Sequence, residues 1–155
     1  MEKSITTALF IIASIVASMA LINAVLPAAN KSSGALLLAN SDAADRIRTD
    51  IEIVHVSGNA TTNKITLWVK NVGTKNIVPV NLSDIIVTTP SDVLRLGYVD
   101  GCSSECWDYL IEGGGTDWSK SVTVKFTIST SVATGVYNVK VSVVNAVSAI
   151  EDFSV

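Results

Sequence analysis

The hydrophobic pattern of the chain changes after about a third of its length, from a long apolar run to an alternation of apolar and polar residues. Residues 5–26 read ITTALFIIASIVASMALINAVL, without a charged residue, glycine or proline. In a helix these apolar side chains would point to every side, so the helix needs apolar surroundings, either lipid or other helices. It would be about 33 Å long, close to the thickness of a bilayer core.

Helix-forming residues continue beyond this run. Pro27 predicts a kink, but the Ala- and Leu-rich stretch after it favours a helix and is weakened only at Gly34. Apart from Lys31, charged residues return only at 42–48 and give the helix a polar end. We therefore predict one helix from about Ser4 to about Arg48, bent near Pro27 or Gly34, and two structural parts, residues 1–48 and 49–155.

Eight large apolar side chains of this helix are predicted to form the core of a helix bundle. Small Ala, Ser and Thr residues between them would let neighbouring helices approach closely. The eight residues are Ile5, Leu9, Ile12, Ile15, Val16, Met19, Ile22 and Leu26. A plain single-span membrane anchor is the alternative. A cleaved secretory signal fits less well, because Glu2 offsets Lys3 and the apolar run exceeds the 7–15 residues of a typical signal.

From Ile51 onward the period of two predicts β-strands. The clearest alternation gives strands at Lys64–Lys70, Ser121–Ile128 and Val136–Val144. Weaker patterns give strands at Ile51–Val56, Asn76–Val80, Ile85–Thr88, Val93–Tyr98 and Ala149–Val155. Short strands separated by Gly- and Asn-containing turns, with no helical pattern between them, predict an antiparallel β-sandwich of immunoglobulin-like type. The fold class is therefore α+β, with a long N-terminal apolar helix followed by this sandwich.

Composition narrows the possible functions. Apolar residues make up 48% of the chain and charged residues only 16%, with a net charge of −3. A chain with this high apolar content and low net charge is expected to fold rather than to stay disordered. It also lacks the basic excess that nucleic-acid phosphates attract, so we expect no nucleic-acid partner.

The β-region shows no pattern typical of catalysis. Its single histidine, His55, lies in a predicted strand without a nearby cysteine or second histidine, so we expect an ordinary strand residue. Gly113-Gly114-Gly115 lacks the helix and lysine that would follow a phosphate-binding loop, and predicts a flexible loop. We expect neither an enzyme nor a bound cofactor or metal ion.

One loop, DGCSSECWDYLIEGGGTDW, contains both cysteines and five acidic residues. In an exported domain, Cys102 and Cys106 are expected to form a small-loop disulfide, with free thiols as the alternative. The carboxylates could bind Ca²⁺, but their spacing matches no defined calcium loop, so a solvated acidic loop is preferred.

Three sequons for N-glycosylation occur, at Asn30, Asn59 and Asn81. Asn59 and Asn81 lie beside predicted turns, where a glycan can be accommodated. Asn30 lies on the predicted helix, where packing against other helices could hide it.

The whole plan, an apolar helix joined to a sandwich without an active site, is typical of a filament subunit. The helix ITTALFIIASIVASMALINAVLPAAN, the amphipathic stretch after it and the strand-turn-strand ITLWVKNVGTKNIVPVNLSDIIV resemble those of archaellins, the archaeal-type flagellins related to type IV pilins. The clearest local signature is Trp68-Val69-Lys70-Asn71-Val72-Gly73, followed by Asn76-Ile77.

The resemblance implies how such a chain is made and used. Its precursor would sit in the membrane, a prepilin-type peptidase would remove a short basic leader, and an ATP-driven archaellum assembly machinery would polymerise it. The product would be a homo-oligomeric, extracellular helical filament that rotates for swimming. No Lys/Arg-Gly leader precedes the helix here, and Glu2 follows the first Met, so we expect a mature or an unusual N-terminus.

Two alternatives remain open. The chain could be a membrane-anchored sandwich of the archaellum stator type, which binds the cell wall. It could also be the subunit of an adhesive type IV-like pilus.

Overall fold

The computed structural model describes residues 2–155 and contains one helix and eight strands. Helix α1 spans Glu2–Arg48 and continues through Pro27 and Gly34, so neither residue ends it. The bend near them stays a prediction. The chain divides into two compact units, one up to Asp42 and one from Ala43 to Val155. The last helical residues therefore belong with the β-unit.

The β-unit contains eight strands of five to nine residues. Their bounds are β1 Ile51–Asn59, β2 Lys64–Asn71, β3 Asp84–Thr88, β4 Val93–Tyr98, β5 Cys106–Ile111, β6 Thr123–Ser129, β7 Val136–Ser142 and β8 Ser148–Ser154. Neighbouring strands follow the order β1-β2-β6-β5-β4-β3-β7-β8. The two edge strands come together at Gly58, which packs so closely against Val155 that any side chain there would clash. The sheet thus forms a sandwich that is nearly a barrel.

The core of this unit comes from the inward faces of alternating strands. In β2, Ile65, Leu67 and Val69 are fully buried, as the period of two predicts. Their partners across the β2–β6 ladder are Ile128, Phe126 and Val124, which are equally buried. Burial of this many branched side chains on a pleated surface is the main stabilising contribution to such a sheet.

Two tryptophans extend the core beyond these strands. Trp107 and Trp118 are both fully buried, and each contacts the edge of Phe126, with ring centroids 5.5 and 5.7 Å away. Each indole N–H donates to a backbone carbonyl at 3.0 Å, that of Leu96 from Trp107 and that of Val122 from Trp118. Large aromatic rings are stable in a core when their polar atom finds such a partner.

Three details of the predicted fold were wrong. The predicted strand Asn76–Val80 is instead an irregular segment, with a single bridge from Ile77 to Trp118 and a 3₁₀ turn at Val80–Leu82. The predicted acidic loop contains strand β5. Its pairing with β4 is parallel, so the sheet is not wholly antiparallel.

Candidate assembly helix and its junction with the sandwich

Helix α1 presents an apolar surface along most of its length. All eight predicted bundle-core side chains are exposed, by 50% at Ile15 and by up to 62% at Met19. The helix is long and apolar enough to cross a membrane, by length and composition only, and none of its most apolar window is buried. Such a surface is not stable in water and requires lipid or protein around it.

The threonine and serine hydroxyls of the apolar segment donate hydrogen bonds to backbone carbonyls of the helix itself. The hydroxyl of Thr7 donates to the carbonyl of Lys3 at 2.8 Å, and that of Ser18 donates to the carbonyl of Ser14 at 2.7 Å. Ser14 itself donates to the carbonyl of Phe10 at 2.8 Å. These back-bonds leave few unpaired polar groups on the surface, which suits apolar surroundings.

The apolar surface extends beyond the segment that a single membrane crossing would use. Leu36, Leu37 and Leu38 are 65–71% exposed and lie ten or more residues after Leu26. Phe10, also missing from the predicted set, is 77% exposed. The predicted set ends at Leu26, before the proline, and so lacks the three leucines, and it also leaves out Phe10, which lies within its range.

Within the β-unit, the end of the helix is joined to the turn after β2 by backbone hydrogen bonds. The amides of Thr74 and Lys75 donate to the carbonyl of Arg48 at 2.8 and 3.1 Å. The amides of Val72 and Gly73 donate to the carbonyl of Asp50, both at 3.0 Å. We call residues 45–50 and 71–75 the junction. It pairs carbonyls at the helix end that would otherwise lack partners.

Asn71 holds the turn of the junction in shape. Its side chain is fully buried, and its amide nitrogen donates to the carbonyls of Lys75 and Trp118 at 2.8 and 3.0 Å. Its amide oxygen accepts from the N–H of Gly73 at 3.0 Å. A buried polar group of this kind is stable only when its bonds are satisfied.

Gly73 is required because two backbone segments meet there. A Cβ atom on Gly73 would lie 2.5 Å from the carbonyl oxygen of Arg48 and 2.5 Å from the nitrogen of Asp50. The Asn-Val-Gly of the sequence signature thus has a structural cause, since Asn71 shapes the turn and Gly73 admits the helix end.

Side chains add to the junction. Lys75 forms an ion pair with Asp45, both about a third exposed. The hydroxyl of Thr49 donates to the carbonyl of Asp45 at 2.7 Å and accepts from the side chain of Asn145 at 2.8 Å. No local pattern marks the contacts of Lys75 with Asp45 and of Asn145 with Thr49, because they join positions 30 and 96 residues apart.

The loop before β5 is closed by a disulfide between Cys102 and Cys106, whose Cα atoms are 5.8 Å apart. Among residues 2–155, no three His, Cys, Asp or Glu side chains come close enough together to hold a metal ion. Three of the acidic side chains accept hydrogen bonds: Glu105 from Thr130, Asp108 from the amide of Gly101, and Asp117 from Thr116.

His55 and Tyr98, two side chains that could take part in acid–base chemistry, lie on different strands. His55 is exposed on β1 and contacts the ring of Trp68, with centroids 5.3 Å apart. Partial burial and nearby negative charge, from Asp100 first, raise the pKa of Tyr98 above its ordinary value. Neither residue lies beside a second group that would make it a general acid, base or nucleophile.

The three sequons lie in different environments. Asn30 is within helix α1, and Asn81 is within the 3₁₀ turn Val80–Leu82. Asn59 ends β1 at the start of an exposed turn. All three asparagines are exposed.

The described residues thus form an exposed apolar helix whose last residues are joined through a backbone junction to a β-sandwich. The chain belongs to the archaeal-type flagellin family, whose model matches residues 2–153. It is 30% identical over 133 residues to an uncharacterized protein of Archaeoglobus fulgidus, covering 82% of this chain and 80% of the relative.

Solved structures show the same fold. The archaellum periplasmic stator protein FlaG from Sulfolobus acidocaldarius matches with a TM-score of 0.57 and 18% identity, over 68% of this chain and 99% of FlaG. A chain of the FlaF and FlaG stator complex from that organism matches with a TM-score of 0.56 and 18% identity, over 66% and 87%. Together with the family match, these findings confirm the archaellin resemblance and identify an archaellum-related structural component.

Proposed function

We propose that this chain is the subunit of an extracellular archaellum filament, which it forms by packing its N-terminal helix against copies of itself. Before assembly the helix sits in the membrane, and a prepilin-type peptidase and the archaellum assembly machinery act on the precursor. The observation that carries this proposal is the length of the apolar surface on helix α1.

A membrane anchor needs about 20 apolar residues, and residues 5–26 already supply them. Leu37 lies 11 residues further on, about 16 Å along the helix, with 71% of its surface exposed. A membrane crossing by residues 5–26 leaves this leucine beyond the hydrocarbon. A bundle of like helices in a filament would cover both segments.

Transfer from lipid to a bundle adds little hydrophobic free energy, because lipid tails are as apolar as leucine. Close packing of the small and large side chains would drive that step. Release into water is a different matter. Exposing eight large apolar side chains to water would cost about 12 kcal/mol, taking roughly 1.5 kcal/mol for each. An assembled subunit would therefore not dissociate from the filament into water.

A second candidate role is that of a stator-like accessory anchored by the same helix. It is supported by the likeness of the sandwich to the protein described as an archaellum periplasmic stator. This role requires only the single membrane crossing and leaves the Leu36–Leu38 surface without a purpose.

The substitution Leu37→Asp separates the two roles. In a filament subunit the charge would be buried without a partner, so we expect no filaments, while the precursor still inserts through residues 5–26. In an anchored accessory the charge would face water and change nothing. Ser41→Asp is the matched control, since Ser41 precedes a natural aspartate at the polar end of the helix.

The measurement is the amount of the chain in filaments sheared from cells, compared with the amount in membranes. We expect the wild-type chain and Ser41→Asp in the sheared fraction, and Leu37→Asp in membranes alone. A wild-type chain confined to membranes would refute the filament role and favour the accessory. If filaments form but their loss leaves swimming intact, an adhesive pilus is the better assignment.

A further inference from the structure

We infer that Asn59 is the one sequon of this chain that accepts an N-linked glycan. The inference requires only that the sandwich is exported, which holds for a filament subunit and for a stator-like accessory alike. Two features of the turn after β1 support it: the exposure of the whole sequon and the hydrogen bonds made by the Asn59 side chain.

The whole sequon Asn59-Ala60-Thr61 is exposed, together with Thr62 after it. The turn is connected to the rest of the sandwich at its base, where the side-chain oxygen of Asn63 accepts a hydrogen bond from the amide of Val132 at 3.1 Å. An enzyme can therefore reach the tip without opening the sheet.

The Asn59 carboxamide is oriented for reaction at its nitrogen. Its oxygen accepts from the backbone N–H groups of Thr61 and Thr62, at 2.9 and 3.0 Å. This Asx turn occupies the oxygen and leaves the NH₂ group directed away from the turn's amides. The same two donors would stabilise negative charge on the oxygen as the nitrogen loses a proton.

The transfer itself needs a sugar donor of a stated class, an oligosaccharide linked through phosphate to a lipid carrier. A bond forms between Asn59 Nδ2 and the anomeric carbon of the first sugar, while the bond from that carbon to the phosphate oxygen breaks. The phosphate oxygen keeps the electron pair and leaves with the lipid, and the Nδ2 proton passes to a base of the transferase.

The other two sequons lack this arrangement. Asn81 is exposed, but the Ser83 residue that completes its sequon is buried, and its hydroxyl oxygen is inaccessible. Asn30 and Ser32 lie two positions apart on an α-helix, where side chains do not face each other. The hydroxyl and the amide of each sequon therefore cannot be engaged together without unfolding the element that carries them.

Peptide masses test the inference directly, because trypsin separates the three sequons. Cleavage after lysine and arginine puts Asn30 in peptide 4–31, Asn59 in 49–64 and Asn81 in 76–95. We expect the chain isolated from its native cell surface to carry sugar on peptide 49–64 alone. An unmodified 49–64, or sugar on either other peptide, would overturn the inference.

Four variants made in the same cells identify the acceptor atom and the requirement for the hydroxyl. Asn59→Gln should lose the added mass, which excludes attachment to a threonine oxygen in the same peptide. Thr61→Val should lose it and Thr61→Ser should keep it. Thr62→Val is the matched control, since it makes the same change one residue outside the sequon, and it should keep the added mass. Sugar that persists in Thr61→Val would contradict the inference.

Discussion

The substitution Asn71→Ala removes the side chain that holds the junction turn. The carbonyl of Lys75 loses its bond from the amide nitrogen, while the carbonyl of Trp118 keeps a second bond from the N–H of Ile77 at 3.1 Å. Loss of the partner costs about 1 kcal/mol at this part-buried acceptor, the low end of the range for buried groups, and the cavity left by the fully buried side chain adds about 2 kcal/mol. We expect a total loss of about 3 kcal/mol.

Urea unfolding followed by tryptophan fluorescence is a suitable assay, because all three tryptophans lie between residues 68 and 118 and report on the sandwich alone. For a slope of about 2 kcal/mol per molar urea, the loss lowers the midpoint by about 1.5 M. The detergent-solubilised full chain is the sample, so that the junction stays intact.

Two further variants show whether hydrogen bonding is the cause. Asn71→Asp keeps the shape of the side chain but replaces the donating amide nitrogen by a carboxylate oxygen, which would face the carbonyl oxygens of Lys75 and Trp118. At neutral pH it should therefore lower the free energy of unfolding at least as much as Asn71→Ala. Asn138→Ala removes a surface bond to Asp152 of 2.7 Å and should cost less than about 1 kcal/mol. Equal midpoints for Asn71→Ala and Asn138→Ala would refute this account of the junction.

Two other predictions concern the sandwich. Because the folded state raises the pKa of Tyr98, its contribution to stability is complete below about pH 10, the ordinary tyrosine value, and is lost as the pH rises through the folded pKa. Tyr98→Phe should therefore lose less stability between pH 8 and alkaline pH than the wild type, as measured by urea midpoints, and an identical alkaline loss would contradict this. Replacing Cys102 and Cys106 by serine opens a short loop and should cost about 2 kcal/mol in the chain-entropy model. Thiol labelling of the unreduced wild-type chain should find no reactive cysteine, and full labelling would contradict the disulfide.

Much of the fold could be predicted because its signals are local. The apolar run of helix α1 and the alternation in β2, β6 and β7 are written in neighbouring residues. Strand β5 was not predicted, because Cys106 and Trp107 are adjacent and both buried, and the residues after them do not alternate between buried and exposed. The acidic residues in and around it and the glycine run after it are more typical of a loop, although Trp107 and Tyr109 favour a strand.

The junction could not be predicted, for a different reason. Its contacts join Asn71 to Trp118 and Thr49 to Asn145, positions 47 and 96 residues apart. No local pattern marks such pairs. The signature containing Asn71 and Gly73 is visible in the sequence. Its structural role, however, follows only from the close contact between Gly73 and the backbone of Arg48.

The junction also has a mechanical consequence. A pull applied through residues 43–48 meets the ion pair of Asp45 with Lys75 and then the carbonyls of Arg48 and Asp50, each of which accepts two backbone hydrogen bonds. The four hydrogen bonds would share this force, because their donors all lie in one short turn, residues 72–75. The force then passes into β1, which is paired with β2 from Ile51 to Asn59. Torque transmitted along this connection would thus be borne largely by the main chain rather than by the side chains of Arg48 and Asp50.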